Sequence, residues 1–282
     1  MQNLLIGVVC LDRYLNLQLT LPGCGILHNA YHLQQLGHAP MLITRIGADD
    51  GEPCLAFLRR HNIRTPAEGI TAPGVSATID IVLDDCGEAQ ISNFVPGVWR
   101  RFRLTADEEA TVAASDHLHL VLVGRAVDEL ARLRQAGALT KSLVSADFLA
   151  LRDFSPTRFA QTLALVDLAF VGWQGDRTDA GLSAIRQAAQ THGRLVVVTL
   201  GARGVLLFDG RPGATELEQF VPVQPVPVTG STNGCGDAFI SYFLAEYWRS
   251  RNLLRAVEAG KAGGAAATQW RFALPDAAYA EE

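Results

Sequence analysis

The stretch Thr229-Gly230-Ser231-Thr232-Asn233-Gly234-Cys235-Gly236-Asp237-Ala238-Phe239-Ile240-Ser241-Tyr242-Phe243-Leu244-Ala245 decides how this chain is read. A glycine-punctuated turn, Gly234-Cys235-Gly236, runs into a carboxylate, Asp237, and then into an apolar-faced segment. Phe239, Ile240, Phe243, Leu244 and Tyr247 recur at helical spacing, which predicts a helix beginning near Asp237. Backbone N–H groups of a tight turn at a helix N-terminus make a site for phosphate or for developing negative charge. Asp237 beside that turn is placed to take a proton from a hydroxyl attacking phosphorus, so the segment carries the equipment of phosphoryl transfer. The plainer alternative is that Asp237 only caps the helix and the glycines only turn the chain, because aspartate is a preferred cap residue. Two other nucleotide motifs are missing: there is no GxxxxGK(S/T) run, and no GxGxxG between an N-terminal strand and helix.

Working outward, 282 residues suffice for one large α/β domain, with or without a small appendage. Hydrophobic residues at 49% and charged residues at 19% suit a compact core and exclude a disordered chain. A net charge of −5 provides no footprint for nucleic acid, and no basic run points to a membrane surface. The longest apolar stretches, Leu118 to Val123 and Leu195 to Val198, are strand length and far short of a membrane span. No secretory signal is expected. The five cysteines (Cys10, Cys24, Cys54, Cys86, Cys235) are odd in number and scattered, with no C-x-x-C pair. They support neither a disulfide framework nor a zinc knuckle, and a reduced, cytoplasmic setting is expected. His28 and His32 stand at i, i+4, and His117 and His119 share a strand face. Either pair could ligate a metal, but neither has a matching acidic or cysteine partner, and solvated or core-edge histidines account for them.

The periodicities predict a buried strand from Leu4 to Leu11 ending at Asp12, then an alternating lid strand from Tyr14 to Leu19. A turn at Gly23-Cys24-Gly25 leads to a helix from His28 to Leu36, closed by Gly37. A strand from Met41 to Ile46, the loop Gly47-Ala48-Asp49-Asp50-Gly51 and a helix from Pro53 to His61 follow. This strand–helix alternation argues for a parallel sheet. Val75 to Leu83 and Gln90 to Val95 flank an Asp/Gly-rich turn and read as a β-hairpin that joins residues 14–19 in a small covering sheet. Further strands are expected at 118–123, 142–147, 167–171, 195–199 and 205–208, with a last helix from Ala256 to Gln269. The small residues of that helix suit close approach by a neighbouring helix or by a ligand. No repeat or linker divides the chain into independent domains.

These features in this order resemble the ribokinase (PfkB) family of carbohydrate and nucleoside kinases over nearly the whole chain. Gly234-Cys235-Gly236-Asp237-Ala238-Phe239 is similar to the end of the family signature D-T-x-G-A-G-D-x-F. Gly25 to Asn29 with Leu36-Gly37 resembles G-G-x-x-x-N-x-A followed by L-G, Gly47 to Gly51 resembles the G-D-D segment, and Thr199 to Gly204 resembles T-x-G-x-x-G. The resemblance implies a three-layer α/β sandwich with a mostly parallel central sheet, forming a single kinase domain over 1–282. Its small β lid would be inserted at roughly 13–22 and 75–96. It implies that Asp237 is the catalytic base and that Gly234, Cys235 and Gly236 form the anion hole for the γ-phosphoryl group. Fixed donors of this kind stabilise charge on the transferring group. Asp12, Gly25 and Asn29 would hold the acceptor's hydroxyls, and Thr199, Gly201 and Gly204 would border the nucleotide, with 259–268 along its base and ribose. ATP and Mg2+ would be the cofactors and a small sugar or sugar derivative the acceptor, with no nucleic acid or membrane partner. The lid would exclude water and could pair two subunits into a homodimer. Left open beside these roles, Asp12 could merely end a strand, Asn29 could cap a helix, and Gly201 and Gly204 could simply turn the chain.

Four positions depart from the family pattern. Ser231 stands where the signature begins with Asp, and Gly172-Trp173-Gln174-Gly175 stands where an N-x-x-E motif supports metal and phosphate, so no metal ligand is assigned. Tyr31 replaces a small residue near Asn29. Cys235 replaces a common Ala at a helix N-terminus, a setting expected to lower a thiol's pKa. The short chain, the abbreviated lid, the missing N-x-x-E and the run Val166 to Val171 resemble the fructosamine kinase branch of the family. The leading expectation is an ATP- and magnesium-dependent kinase acting on a hydroxyl of a small sugar or sugar amine. A nucleoside kinase of the same fold is the first alternative, with Tyr14 or Phe94 available to stack on a base. A non-catalytic sugar or nucleotide sensor is the second, motivated by the losses at 172, 175 and 231.

Overall fold

The computed structural model describes residues 2–151 and 154–280. The chain forms two compact units, one of Asn3–Glu108 with the chain from Val226 onward, the other of Glu109–Pro225 with Gln2.

The first unit opens with β1 (Asn3–Ile6), β2 (Cys10–Tyr14), β3 (Leu19–Gly23) and helix α1 (Gly25–Gln35). Next come β4 (Met41–Ile43), β5 (Ile46–Gly47), α2 (Glu52–Arg60), β6 (Thr71–Ala72), β7 (Ala77–Leu83) and β8 (Ala89–Val95). β1 pairs in parallel with β4, and β5 with β6. The strand expected from Leu4 to Leu11 is in fact two strands in different sheets. The break falls at Gly7, where a Cβ would lie 2.8 Å from Cβ of Ile26, so the chain passes under α1 only because no side chain is there. Beyond it, β2 pairs antiparallel with β3 and parallel with β7, which places Asp12 in the middle of a strand instead of at its end. The expected alternating strand from Tyr14 to Leu19 is a 3-10 turn over Leu15–Leu17 followed by Gln18 at φ 49 and then β3.

The covering sheet runs in the order β3-β2-β7-β8. Tyr14, Ile81 and Phe272 are buried on it, with Leu17, Leu19, Leu21 and Ile79 packed around them. The hairpin between β7 and β8 is closed by Asp84, whose Oδ1 accepts the N–H groups of Cys86 and Glu88 at 2.8 Å each, and by Gly87 at φ 77. Asp84 thus makes the Asx-type turn that the Asp/Gly composition leads one to expect.

After helix α3 (Ala106–Ala113), the second unit alternates β9 (His117–Val121), α4 (Arg125–Gln135), β10 (Leu143–Asp147), α5 (Pro156–Leu163), β11 (Leu168–Gly172) and α6 (Ala180–His192). It continues with β12 (Leu195–Thr199), β13 (Val205–Asp209) and β14 (Glu218–Val221). Strands β9 to β12 are parallel neighbours, and β13 and β14 add antiparallel partners at the β12 edge. Burial of successive residues on both faces of β9 to β12, with near-continuous apolar runs in β11 and β12, is the mark of a parallel sheet covered by helices. The switch to antiparallel at β13 follows from the short connection 200–204, too short for a crossover helix. β14 was not foreseen, because its sequence Glu-Gln-Phe-Val offers neither alternation nor an apolar run.

The last helices, α7 (Cys235–Ser250), α8 (Leu253–Ala267) and α9 (Asp276–Tyr279), belong to the first unit. α7 begins two residues before Asp237 and buries Phe239, Ile240, Phe243, Leu244 and Tyr247. Each such side chain removed from water contributes about 1.5–3 kcal/mol. The small face of α8 serves helix packing: a Cβ at Gly260 would meet the Phe239 ring at 2.9 Å, and one at Gly263 the Tyr242 ring at 2.6 Å.

Candidate active site

The site grows from the first turn of α7. Gly234 holds φ 78, and a Cβ there would stand 2.3 Å from the Ala273 carbonyl oxygen, so only glycine fits. Gly236 is the opposite case, exposed and with nothing within 4 Å of where its Cβ would be. The turn is therefore open around Gly236, at the end of the helix whose first N–H groups have no partner within it; the Cys235 N–H donates to the Thr232 carbonyl at 3.3 Å. Asp237 lies inside this first turn and does not cap it. Its Oδ2 instead accepts a hydrogen bond from Nδ1 of His28 at 2.7 Å. Among the described residues Oδ1 has no partner, and the side chain is 16% exposed.

His28 comes from α1 and is almost wholly buried. Its Nε2 lies 4.0 Å from Oδ2 of Asp12 and has no hydrogen-bond partner among the described residues; nor has Asp12 Oδ1. Asp12 Oδ2 accepts the N–H of Cys24 at 3.3 Å. The result is a line of a buried carboxylate, a buried imidazole and a half-buried carboxylate. Burial pushes the Asp12 carboxyl up to about 6, against the pull of His28 and the Cys24 N–H, with the charge of Asp237 adding to the rise. Burial alone would depress His28, but the hydrogen bond to Asp237 and the charges of Asp237 and Asp12 together outweigh it and hold the imidazole above its ordinary value. His32, one turn further on, is pushed down to about 4 by burial and by His28, and it stacks on Trp270 at 5.3 Å. The two histidines therefore face different surroundings and do not form a pair.

Of the other residues expected to hold an acceptor, Gly25 is the first residue of α1, following Cys24 at φ 77. Asn29 is fully buried in α1, and its Oδ1 receives the Ser241 hydroxyl at 2.8 Å, which joins α1 to α7. Asn29 therefore lies within the helix and does not cap it. Tyr14 is buried, edge-on to Phe272 at 5.1 Å, and its hydroxyl accepts the Asn233 side-chain amide at 2.9 Å, so its ring is not available to stack on a base. Tyr31 turns toward α2, where it meets the ring of His61 at 4.9 Å. The Cys235 thiol departs from expectation. Burial, with Asp237 and Glu88 close by, pushes it up to about 12, so proximity to two acids and lost solvation override the helix terminus.

The lid hairpin is stitched to the signature loop. The Thr232 N–H donates to the Gly87 carbonyl at 2.8 Å, and the Ala89 N–H donates to Thr232 Oγ1 at 3.3 Å. A Cβ on Gly87 would stand 2.3 Å from the Gly230 carbonyl oxygen. Ser231 is fully buried, with its N–H on the Trp270 carbonyl at 2.7 Å.

In the second unit, Thr199 ends β12 and its carbonyl accepts the Trp173 N–H at 2.9 Å. Gly201 at φ 59 and Gly204 at φ 129 shape the turn into β13, closed by Leu200 N–H on the Gly204 carbonyl at 2.9 Å. A Cβ at Gly201 would meet nothing, whereas one at Gly204 would strike the Phe220 ring at 2.5 Å. Arg203 donates to the Gln174 carbonyl at 2.7 Å, tying this turn to the segment that replaces N-x-x-E. There the Trp173 indole is buried with no partner for its N–H among the described residues.

Among the described residues no three His, Cys, Asp or Glu side chains cluster as a metal cage. Sequence reasoning missed His28 as a site residue. No local signal in the sequence distinguished it from a core histidine, since its partner Asp237 lies 209 positions away.

A βα sheet unit, a β covering sheet and a carboxylate at a glycine-turn helix N-terminus together define a ribokinase-like phosphotransferase. A family model described as pfkB family carbohydrate kinase matches residues 29–273, and the chain belongs to that family. It is 31% identical over 272 residues to fructoselysine 6-kinase of Escherichia coli (strain K12), covering 95% of this chain and 97% of that one. Among solved structures, fructokinase from Vibrio cholerae O395, with fructose, ADP and calcium ion bound, superposes with a TM-score of 0.74 at 20% identity, covering 99% and 98% of the two chains. Ribokinase from Thermotoga maritima gives 0.74 at 18% identity, covering 97% and 95%. The activity of the chain is accordingly ATP-dependent phosphorylation of a carbohydrate. None of the helices in the described residues is long and apolar enough to cross a membrane.

Proposed function

We propose that this kinase transfers the γ-phosphoryl group of ATP to a primary hydroxyl of a fructosamine, a ketose bearing an amine-linked substituent. The 31% identity to fructoselysine 6-kinase across nearly the whole of both chains supports the acceptor class. The mechanism rests on one observation: Asp237 has Oδ1 unpartnered beside the open space at Gly236. In this reading Asp237 takes the proton as the acceptor oxygen bonds to phosphorus and the β–γ bridge breaks toward ADP. The N–H groups of Gly234, Cys235 and Gly236 hold the transferring oxygens. Asp12, Gly25 and Asn29 orient the acceptor, and Thr199, Gly201 and Gly204 border the nucleotide. A magnesium ion carried on the nucleotide would offset phosphate charge there.

We treat the two units as one kinase domain working in the cytoplasm, with residues 13–22 and 75–96 as its lid. Ile91, Phe94 and Val95, exposed on the edge strand β8, are apolar enough for a second copy to cover. The test is ATP consumption with magnesium across fructosamines, free sugars, polyols and nucleosides, with Asp237→Asn alongside. Turnover confined to fructosamines and lost in the variant is the expected result. Turnover on nucleosides alone would replace the acceptor, and ATP binding without turnover on any acceptor would favour a sensor.

A further inference from the structure

We infer that His28 is a positioning residue for the base: it clamps Oδ2 of Asp237 so that Oδ1 alone faces the acceptor hydroxyl, with Asp12 bracing the imidazole from behind. The inference rests on the kinase reading above and gives a role to a residue to which the motif Gly25–Asn29 assigns none.

The geometry leaves little choice of donor. Asp237 as a carboxylate can only accept, so His28 Nδ1, 2.7 Å away, carries the hydrogen. Nε2 then points toward Asp12 at 4.0 Å, across which attraction acts without a direct hydrogen bond. The groups facing His28 are Asp237 from α7, Asp12 from β2 and His32 from its own helix. Two of the three are acids, and His32 is held neutral by its burial. A carboxylate on a helix has two rotatable bonds, and a buried imidazole on one oxygen removes that freedom. Displacement of a reacting group by about 1 Å can cost on the order of 100-fold in rate. Buried, charge-assisted bonds of this length are the strong ones. The imidazole charge favours ionised Asp12.

The decisive comparison is wild type, His28→Ala and His28→Asn, each measured for kcat, both KM values, the pH profile of kcat/KM and Tm. His28→Ala should lose about 10- to 100-fold in kcat with KM for ATP unchanged. Its acid limb should move to higher pH, because the donor and charge that favour the ionised acids are gone. His28→Asn keeps a side-chain donor near the position of Nδ1 and should restore most of kcat. Having no titrating charge, it should leave the acid limb displaced. If His28→Ala proves too unstable to assay, His28→Asn carries the comparison together with histidine 15N NMR. The His28 resonances should titrate above the ordinary range in wild type and fall in Asp237→Asn. Wild-type kcat and an unmoved acid limb in either variant would overturn the positioning role while leaving the kinase intact. A wild type inactive on every acceptor would overturn the kinase reading and this role with it.

Discussion

The first turn of α7 and the turn from β12 into β13 are both glycine-shaped, but they spend their glycines differently. At α7, Gly234 is required by the fold and Gly236 stands open. At the other turn, Gly204 is required by the fold and Gly201 stands open, though at φ 59. Around α7 the bonding is carried by side chains, Asp12, His28, Asn29 and Ser241 buried and Asp237 half-buried. Around Gly201 the bonding is almost all backbone to backbone, and Ala202 and Arg203 are exposed. In the proposed mechanism a site that moves a proton needs fixed titratable groups and a site that borders a nucleotide needs shape; side-chain bonding at α7 and backbone bonding at 201–204 suit those two roles.

The sharpest break of that comparison is Asp237→Asn. Removing a general base typically costs about 10²- to 10⁴-fold, so kcat should fall in that range with Tm nearly unchanged. Gly236→Ala should fold like the wild type, since its methyl meets no atom, yet fill the anion site and lower turnover by about 100-fold. Gly204→Ala inverts the pattern: left-handed strain and the Phe220 ring should cost about 1–3 kcal/mol, read as a lower Tm, with kcat at saturating substrates preserved.

A smaller effect tests the buried acids by pH. Asp12 titrates near 6 in the fold against 3.8 in the free side chain, so the native state binds more protons and stability falls as pH rises between about 4 and 6. Asp12→Asn should remove that slope and gain stability above pH 6, by at most about 3 kcal/mol at 1.36 kcal/mol per unit. Urea melts at pH 4, 5, 6 and 7.5 check it, and equal slopes in both proteins would mean Asp12 is not burdened. The least effect is at Cys235, whose raised thiol should resist iodoacetamide at pH 7 while the exposed Cys86 reacts.

Much of this was legible in the chain, for reasons that can be named. The strands β9 to β13 announce themselves as apolar runs buried on both faces, and the β7–β8 hairpin by its Asp84–Gly87 turn. The Gly234–Asp237 segment is local, so its chemistry can be read from adjacent residues. What escaped depends on distance along the chain. His28 meets Asp237 across 209 positions, and nothing local distinguishes it from a core histidine. The break between β1 and β2 depends on Ile26 lying over Gly7, a contact between elements. The Cys235 thiol was misjudged because helix position is visible in sequence, but burial beside Glu88 and Asp237 is not.

The bonds from Thr232 to the lid hairpin have a consequence for timing. Gly87 and Ala89 are held by the same loop that leads into Gly234, and Asn233 of that loop holds Tyr14 of β2. Two strands of the cover are thus moored within two residues of Gly234. Any displacement of the cover is passed through these bonds to that turn, so in the proposed mechanism release of the phosphorylated sugar and loosening of the turn would be one mechanical event.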